Sequence, residues 1–407
     1  MSRIDELIES FCPDGVPLRR LGEFAELVRG NGLPKSDFVP DGVGAIHYGQ
    51  IYTKFGTWTT KTISHVKPEI AEKLTKVNPG DIIITNTSEN LEDVGKAVAW
   101  LGENQIVTGG HATVIKHQQD SKFLAYWFQS PSFRLQKRGL ATGTKVIDVS
   151  AKQLEKVLVP VPPLEVQREI VRILDQFTQL EAELEAELEA RRRQFEFFAE
   201  TLLATNSDVP IVKLGEVTSI VRGASPRPIQ KFITTDDTGI PWIKIGDVPT
   251  DGKYITQTAQ MVTLEGAAKS RYVDPGDFVL SNSMSFGRPY ILKIRGCIHD
   301  GWLAISDFQE TFDSNYLYYL LRSAAVQSQF ESKAGSGTVR NLNADIVRSV
   351  TVPVPTRERQ ELIVDQLDKF NALTTDLYVG LPAELKARRK QYEYYRNKLL
   401  TFKELAA

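Results

Sequence analysis

The sequence predicts an α+β protein in which two α/β domains alternate with two long helices. Three observations support this fold class: a repeat at an offset of 193 residues, short apolar runs bounded by turn residues, and two helical segments with a coiled-coil stripe. The 407-residue chain also exceeds the roughly 250–300 residues at which a single core usually divides. We therefore expect two domains related by a pseudo-two-fold axis and separated by an antiparallel coiled coil.

The repeat is clearest where each long helix begins. Residues 159–162 read Val-Pro-Val-Pro and recur as residues 352–355. The side chains that follow at the same offset are Gln167 and Gln360, Leu174 and Leu367, Asp175 and Asp368, and Phe177 and Phe370. These matches predict four segments, which are a globular domain over 1–158, a long helix over 159–205, a second domain over 206–351 and a second long helix over 352–407.

Within each domain, the apolar runs are short. Residues 81–84 and 277–280 lie between Gly, Pro and Asn residues, which is typical of strands joined by turns. The spacing of aromatic residues and leucines in 122–129 and 315–323 predicts one short helix in each domain. Mixed α/β domains are expected.

Each long helix carries an apolar stripe. Steps of four and three residues predict a coiled-coil seam, and about 40 residues would extend roughly 60 Å. The second copy contains Gly-Leu-Pro at 380–382, which should kink or interrupt the helix because proline lacks an N–H and clashes with the preceding turn. The side chains expected at the seam or at a partner are Ile170, Leu174, Phe177, Leu184, Phe195, Phe198, Ile363, Leu367, Phe370, Tyr392 and Tyr395.

Aromatic residues are dense near the end of each helix. Residues 194–198 read Gln-Phe-Glu-Phe-Phe and return as Gln-Tyr-Glu-Tyr-Tyr at 391–395. One seam cannot use three aromatic side chains within four positions, so some are expected to face another subunit.

The net charge of the chain alone argues weakly against nucleic-acid binding. The net charge is -2 and the isoelectric point is near 6.3. Residues 164–203 carry a net charge of -5, so the acidity is concentrated in the first long helix and the domains are close to neutral. Cys12 and Cys297 fit no disulfide or zinc spacing, and neither a signal peptide nor a membrane span is evident, so we expect a cytoplasmic protein.

Two similar domains joined by long helices suit a particular kind of DNA binding. A two-fold protein spaces its half-sites by its own connector, and each domain can engage one patch of the major groove. Because the domains differ between the matched positions, the half-sites should differ as well. The expected target is asymmetric and bipartite, with an unread spacer set by the coiled coil.

The repeated helix segments resemble a known family. The run Val-Pro-Val-Pro-Pro-Leu-Glu-Val-Gln-Arg-Glu-Ile at 159–170, its near copy at 352, and the aromatic runs at 194–198 and 391–395 are similar to the conserved regions of type I restriction-modification specificity subunits. The resemblance implies that each domain is a target recognition domain and that the helices bind two adenine-methylating modification subunits. It also implies restriction subunits that translocate and cleave DNA.

Catalytic motifs are absent from the sequence. There is no Asn/Asp-Pro-Pro-aromatic motif for a flipped base and no phosphate-binding loop, and the histidines show no metal spacing. We expect a non-catalytic chain without its own cofactor or metal. By resemblance, S-adenosylmethionine belongs to the methyltransferase subunit, and ATP and magnesium belong to the restriction subunit.

Candidate DNA contacts form matched pairs. The five pairs are Arg29 and Arg222, Gln50 and Asp247, Asn86 and Asn282, Lys96 and Arg288, and Lys145 and Arg340. The asparagines could pair with adenine or simply form turns, and the Lys/Arg pairs could read bases or bind phosphate. The second pair could encode different bases or be ordinary surface residues, whereas the identical arginines suit a backbone contact or a structural ion pair. The alternative for the whole chain is a coiled-coil adaptor that binds protein without reading DNA sequence.

Overall fold

A computed structural model of the chain describes residues 3–204, 208–248, 252–283, 286–334, 341–375 and 380–405. The strands of the first globular domain are β1 (Leu18–Arg20), β2 (Ala25–Arg29), β3 (Phe38–Val39), β4 (Val43–Ile46), β5 (Trp58–Thr59), β6 (Ser64–Val66), β7 (Thr75–Val77), β8 (Ile82–Thr85), β9 (Thr87–Ser88), β10 (Ala97–Trp100), β11 (Ile106–Thr108), β12 (Ala112–His117), β13 (Ile147–Asp148) and β14 (Leu158–Pro160). Its helices are α1 (Arg3–Phe11), α2 (Leu21–Phe24), α3 (Tyr48–Thr53), α4 (Pro68–Ala71), α5 (Ser121–Trp127), α6 (Pro131–Leu140) and α7 (Ala151–Leu154).

The long helix α8 (Leu164–Leu203) follows, and a second globular domain comes after it. The strands of this domain are β15 (Ile211–Lys213), β16 (Ser219–Arg222), β17 (Ile233–Thr234), β18 (Ile240–Ile243), β19 (Tyr254–Ile255), β20 (Met261–Val262), β21 (Arg271–Val273), β22 (Phe278–Ser281), β23 (Pro289–Leu292), β24 (Gly296–Ile298), β25 (Trp302–Ser306) and β26 (Thr351–Pro353). Its helices are α9 (Leu214–Val217), α10 (Leu264–Ala268), α11 (Ser314–Arg322), α12 (Ala324–Ala334) and α13 (Ala344–Arg348), and the chain continues into α14 (Arg357–Thr375) and α15 (Leu381–Leu399).

Both globular domains have the same sheet topology. In the first, one five-stranded sheet has the order β2-β12-β8-β10-β5 and the other has the order β3-β6-β4-β11-β7. In the second, the corresponding orders are β16-β25-β22-β23-β19 and β17-β20-β18-β24-β21. The predicted pair of mixed α/β domains is confirmed.

The central strands are almost entirely apolar, and both of their faces are buried. In β8, Ile82 and Ile84 pack in the core that contains α5 and α6, whereas Ile83 packs in a second core with residues of the other sheet. In β22, Phe278 and Val279 divide in the same way. A strand covered on both sides reads as a continuous apolar run, which is why the short runs in the sequence predicted these strands.

The first long helix is continuous, whereas the second is divided. Helix α8 spans 40 residues, from Leu164 to Leu203. Helix α14 ends at Thr375, and α15 begins at Leu381 directly after Gly380, whose φ of +81° favours glycine. Pro382 lies in the first turn of α15, where its missing N–H costs nothing. The predicted interruption is confirmed, and residues 376–379 lie outside the described part of the chain.

The chain forms two compact units. The first comprises Met1–Glu185 and Leu385–Ala407, and the second comprises Ala186–Glu384. The beginning of α8 therefore belongs to the first unit together with most of α15, and the end of α8 belongs to the second unit together with α14. Among the described residues, no helix has the length and apolar character that crossing a membrane requires.

In the first unit, the segment after α1 pairs with the segment after α15. The backbone N–H of Val16 donates to the carbonyl of Lys403 at 2.8 Å, and that of Leu405 donates to the carbonyl of Val16 at 3.1 Å. Gly15 has a φ of +124°, and a Cβ there would lie 2.8 Å from the backbone of Glu404, so the close approach requires glycine. Leu400 is consequently buried in the first core, as Leu203 is buried in the second.

Candidate nucleic-acid interface

Three of the predicted DNA contacts lie close together at the strand ends of the first sheet. Because β2, β12, β8 and β10 are antiparallel neighbours, the end of β2 at Arg29, the residue after β8, Asn86, and the residue before β10, Lys96, lie at one edge of the sheet. We call this edge, with the loops that leave it, the reading edge. Loops carried by a rigid sheet are common places for binding residues.

The second domain has a reading edge built in the same way. Arg222 ends β16, Asn282 follows β22 and Arg288 precedes β23, and the pairing of β16, β25, β22 and β23 brings their ends together. The fold therefore brings together residues that the sequence singled out only by their repeated positions.

The two asparagines, however, belong to the scaffold. Asn86 is fully buried, where its side-chain amide donates to the carbonyl of Val149 at 2.7 Å and its carbonyl oxygen accepts from the hydroxyl of Thr113 at 2.9 Å. Asn282 is 3% exposed and donates to the carbonyl of Asp300 at 3.0 Å. Of the two alternatives for these asparagines, a base contact or a turn, their burial and their hydrogen bonds within the chain favour the structural one.

Gln50 and Asp247 also stabilise local turns. The side-chain oxygen of Gln50 accepts the backbone N–H of His47 at 3.1 Å. One carboxylate oxygen of Asp247 accepts the N–H of Lys244 at 2.7 Å, and the other accepts the N–H of Ala259 at 3.0 Å. Each side chain thus caps the turn that follows a strand, and base coding at these two partly exposed positions stays a prediction.

The described cationic candidates are exposed or half-buried. Arg29 lies 4.0 Å from Asp148 and is half exposed, and Lys145 is exposed. Lys96 donates to the carbonyl of Tyr52 at 3.0 Å.

In the second domain, Arg222 is exposed and donates through Nε to the carbonyl of Asp300 at 3.1 Å. The guanidinium of Arg288 lies 5.4 Å from the ring of Tyr290. The remaining candidate, Arg340, lies outside the described residues.

A buried lysine donates hydrogen bonds to the loop that precedes Lys96. Lys137 is 4% exposed, and its ammonium donates to the carbonyls of Glu92 and Val94, each at 2.7 Å. Burial is the main reason that the pKa of Lys137 is lowered to about 8, and the neighbouring Arg134 lowers it further. The shape of this part of the reading edge therefore depends on an amine that is costly to charge.

Sequence reasoning missed an aromatic and imidazole cluster at the first reading edge. The ring of Tyr48 lies 4.4 Å from that of His47 and 5.1 Å from that of His111. Nδ1 of His111 lies 3.0 Å from the hydroxyl of Thr87, and Tyr52 donates to the carbonyl of Thr87 at 2.5 Å. His111 has a φ of +67°, and the preceding Gly109-Gly110 was the available signal for an unusual turn.

The second reading edge carries a different polar cluster. Asp300 accepts the hydroxyl of Ser225 at 2.6 Å, and this hydrogen bond is the main cause of the lowered pKa of Asp300. Arg227 lies 3.9 Å from the same carboxylate. Burial lowers the pKa of His299, which precedes Asp300. Two equivalent edges thus present different chemical groups.

In the first unit, the beginning of α8 packs on the globular domain and then on α15. Ile170 and Leu174 are fully buried in the domain core. Farther along, the ring of Phe177 stacks on Tyr395 at 5.4 Å and lies 6.3 Å from Tyr392. Leu184 is half-buried.

An ionic contact shows the direction of the two helices. Arg389 donates to Glu181 at 2.7 Å and also bonds to Glu185. Since Phe177 contacts Tyr395 whereas the later Glu181 contacts the earlier Arg389, α8 and α15 run antiparallel here.

In the second unit, α14 takes the corresponding place. Ile363 and Leu367 are buried in the domain core. The ring of Phe370 lies 5.7 Å from Phe195 and 6.0 Å from Phe198, which are both on the end of α8. The aromatic residues predicted at the seam therefore form one cluster in each unit.

In each of the aromatic runs at 194–198 and 391–395, one aromatic side chain is largely exposed. Phe197 is 76% exposed and Tyr394 is 62% exposed, and the two residues occupy matching positions of the repeat. Exposed aromatic side chains at two matching positions are typical of a surface that is covered in a complex.

The sequence matches a family profile twice. The type I restriction modification DNA specificity domain matches residues 13–190 and again residues 206–387. The chain belongs to this specificity family. It is a type I restriction-modification specificity subunit with two target recognition domains, as the resemblance of its repeated helices predicted.

Relatives of the specificity family align over much of the chain. One from Haemophilus influenzae, named as a type I restriction enzyme specificity subunit, is 31% identical over 337 residues, which are 79% of this chain and 82% of the relative. The Escherichia coli EcoR124I/EcoR124II specificity subunit is 31% identical over 62% of this chain and 65% of its own length.

Solved structures share the fold of this specificity subunit. A chain from a type I restriction-modification system aligns with a TM-score of 0.67 at 18% identity, covering 95% of this chain and 98% of the other. The HsdS subunit of Thermoanaerobacter tengcongensis aligns with a TM-score of 0.51 at 18% identity, covering 97% and 99%. The predicted α+β fold class is confirmed.

Proposed function

We propose that each recognition domain reads one half of an asymmetric, bipartite DNA target through its reading edge. The observation that supports this most is that the two edges share strand topology but carry different groups, Tyr48 and His111 in one and Ser225 and Asp300 in the other. A shared scaffold explains why both domains bind the same kind of ligand. Different side chains explain why they would prefer different bases.

The cationic residues at the edges position the DNA in this proposal. Arg29 and Lys145 in the first domain and Arg222 in the second are exposed. Arginine and lysine at loop ends neutralise phosphates and fix the register of the duplex without reading sequence. The near-neutral domains predict modest affinity by the isolated chain, because few phosphates would be neutralised.

The helices set the spacer and bind two methyltransferase subunits in this proposal. Helix α8 runs without interruption through residues of both units, so its length is a natural measure of spacer length. Phe197 and Tyr394 provide one exposed aromatic anchor for each methyltransferase copy.

Catalysis then lies in other subunits of a cytoplasmic complex. S-adenosylmethionine would be held by the methyltransferase subunits, and ATP and magnesium would be held by restriction and translocase subunits. The role of this chain is to place double-stranded DNA before them.

The test is to map adenine methylation in a host that expresses the chain with its methyltransferase. We expect one bipartite motif that disappears when this chain is deleted. Exchanging residues 207–348 for the corresponding domain of another specificity subunit should change one half of the motif only. The matched control exchanges the first domain, and the opposite half should change.

Two results would contradict the proposal. If methylation is unchanged on deletion, the chain does not direct it, and a protein-binding adaptor becomes the better description. If one exchange alters both halves, the assignment of one domain to one half-site fails. An adaptor would also form no sequence-selective complex with DNA and the methyltransferase in a gel-shift assay.

A further inference from the structure

A buried tyrosine and an aspartate join the first recognition domain to its long helix. Asp175 lies on α8, and one of its oxygens accepts the phenol of Tyr126 on α5 at 2.8 Å. Its other oxygen accepts the ammonium of Lys122, also on α5, at 2.6 Å. Tyr126 is fully buried. Hydrogen bonds to a charged group, made beside an apolar core, are among the stronger contacts in a protein.

The same contact continues to the outer strand of the sheet. The ammonium of Lys122 lies 4.2 Å from the ring centre of Trp58, which is on β5. In the described sheet, β5 stands at one end of the strand order and pairs with β10. The amide of Gln129 donates to Thr57, next to Trp58, at 2.9 Å. Long helix, short helix and outer strand are thus held together at one place, which we call the helix tie.

The second domain has a similar helix tie, in which a tyrosine again donates to an aspartate of the long helix and a lysine lies over aromatic rings. Asp368 on α14 accepts the phenol of Tyr319 on α11 at 2.5 Å. The ammonium of Lys253 lies 5.2 Å from the ring of Tyr319 and 4.8 Å from that of Tyr318. It also lies 5.7 Å from the ring of Tyr254 on the outer strand β19. Burial lowers the pKa of Lys253, and the charge of Asp368 is the largest opposing effect.

The two ties differ in where the lysine comes from. Tyr126 and Tyr319, like Asp175 and Asp368, are related by the offset of 193 residues. The position that matches Lys122 is Asn315, and the lysine of the second tie comes instead from the residue before the outer strand. A cation is present in both ties although its position in the chain has moved. The duplicated domains have therefore kept the contact while most of their other residues diverged.

A firm joint at this place matters for measuring distance along DNA. One additional base pair separates two half-sites by about 3.4 Å and turns one relative to the other by about 35°. A recognition domain that can change its orientation on the long helix would tolerate this altered spacing and rotation. A domain held by the helix tie, in addition to its core packing, would not.

We propose that Asp175 and Asp368 are positioning residues that restrict the target to one spacer length. Each acts by fixing its recognition domain on the long helix, and neither needs to touch DNA. The proposal rests on the bipartite function described above and concerns the spacer rather than the half-site sequences.

The experiment compares methylation rates on DNA whose two half-sites are separated by the native spacer or by one base pair more or fewer. It uses the full chain with its methyltransferase, and the variants are Asp175→Asn, Asp368→Asn, Tyr126→Phe and Tyr319→Phe. For each variant, we expect the rate at the altered spacers relative to the native spacer to rise about tenfold, the factor that a loss of about 1.4 kcal/mol gives. Half-site preference should remain that of the wild type.

The matched control is Asp365→Asn, which removes an exposed carboxylate on α14 that pairs with Lys369. Its spacer ratio should equal that of the wild type. The tyrosine variants keep the test decisive if an aspartate variant does not fold. If folded variants lose rate equally at every spacer, the ties are only stabilising and the proposal is overturned. A wild-type protein that methylates no bipartite motif would instead contradict the proposed function itself.

Discussion

Gln360 repeats in the second unit two hydrogen bonds that Gln167 makes in the first. The side-chain oxygen of Gln167 accepts the backbone N–H of Asp120 at 2.9 Å, and that of Gln360 accepts the N–H of Asp313 at 2.7 Å. Each amide nitrogen also donates to the carbonyl of the proline five residues before it, at 2.7 and 3.0 Å. Both glutamines are buried, and each aspartate caps the short helix of its domain.

Replacing either glutamine by alanine should destabilise its own unit. Gln167→Ala or Gln360→Ala removes the partners of a partly buried backbone N–H and of at least one carbonyl, which costs about 1–3 kcal/mol. Hydrogen exchange during urea unfolding should place the lost free energy of unfolding in the unit that carries the change. Gln179→Ala, an exposed glutamine on α8, is the control and should cost little. An equal loss in both units would contradict this assignment.

Removing the exposed aromatics should change the number of methyltransferase subunits bound. We expect Phe197→Ala and Tyr394→Ala each to weaken one copy at least 30-fold, since a central aromatic contributes about 2 kcal/mol or more. Native mass spectrometry would then show one bound copy for each single variant and none for the double variant. Leu135→Ala removes a side chain on α6 that is 72% exposed, and should leave two copies bound. Two copies on the double variant would refute the anchor assignment.

Lengthening α8 should lengthen the spacer. Four residues inserted after Glu185, where one unit ends, add about 6 Å and about 40° of rotation while leaving the contacts inside each unit intact. With an equal insertion after Gly380, the preferred spacer should grow by one or two base pairs and the half-sites should stay unchanged in the methylation map.

Two controls accompany the longer helix. The insertion after Gly380 alone should leave the spacer as it is. Three residues after Glu185 turn the helix by about -60°, opposite to the twist of DNA, so methylation should fall at every spacer. An unchanged spacer after the four-residue insertion would show that α8 does not measure the distance.

Charging Lys137 should cost stability near neutral pH. Its pKa of about 8 in the folded chain lies below the roughly 10.4 of an unfolded lysine, so the folded state carries a penalty below pH 8 that is relieved as the pH rises. Between pH 7.5 and 9.5, the free energy of unfolding of the wild type should rise by about 2 kcal/mol relative to Lys137→Met. The exposed Lys152→Met variant should follow the wild type. Parallel curves for wild type and Lys137→Met would contradict the buried charge.

The sequence predicted the larger features of the fold well because they follow from periodicity. The repeat predicted two domains of the same build, and Gly380 with Pro382 predicted the break in the second helix. Helix-forming stripes and breakers are local signals, so a single chain is enough to find them.

The individual contacts were harder to predict because polarity does not reveal burial. Asn86 looked like a surface turn residue, yet it is buried by contacts with Val149, 63 positions later. The offset of 193 residues identified Asp175 and Asp368, but their tyrosine partners lie on another element and only the fold brings them together. Pairings over such separations leave no pattern in a short window of sequence.

The strands that are buried on both faces restrict how such a protein can acquire a new target. In β8, alternate isoleucines serve different cores, so a deletion of one residue would send each of them to the wrong side of the sheet. New specificities should therefore arise by replacing loop residues or by recombining whole domains between genes. Insertions of residues should be tolerated only in the loops between strands. Libraries built to redirect this chain would accordingly gain more from varying Thr87 and His111 than from varying Asn86.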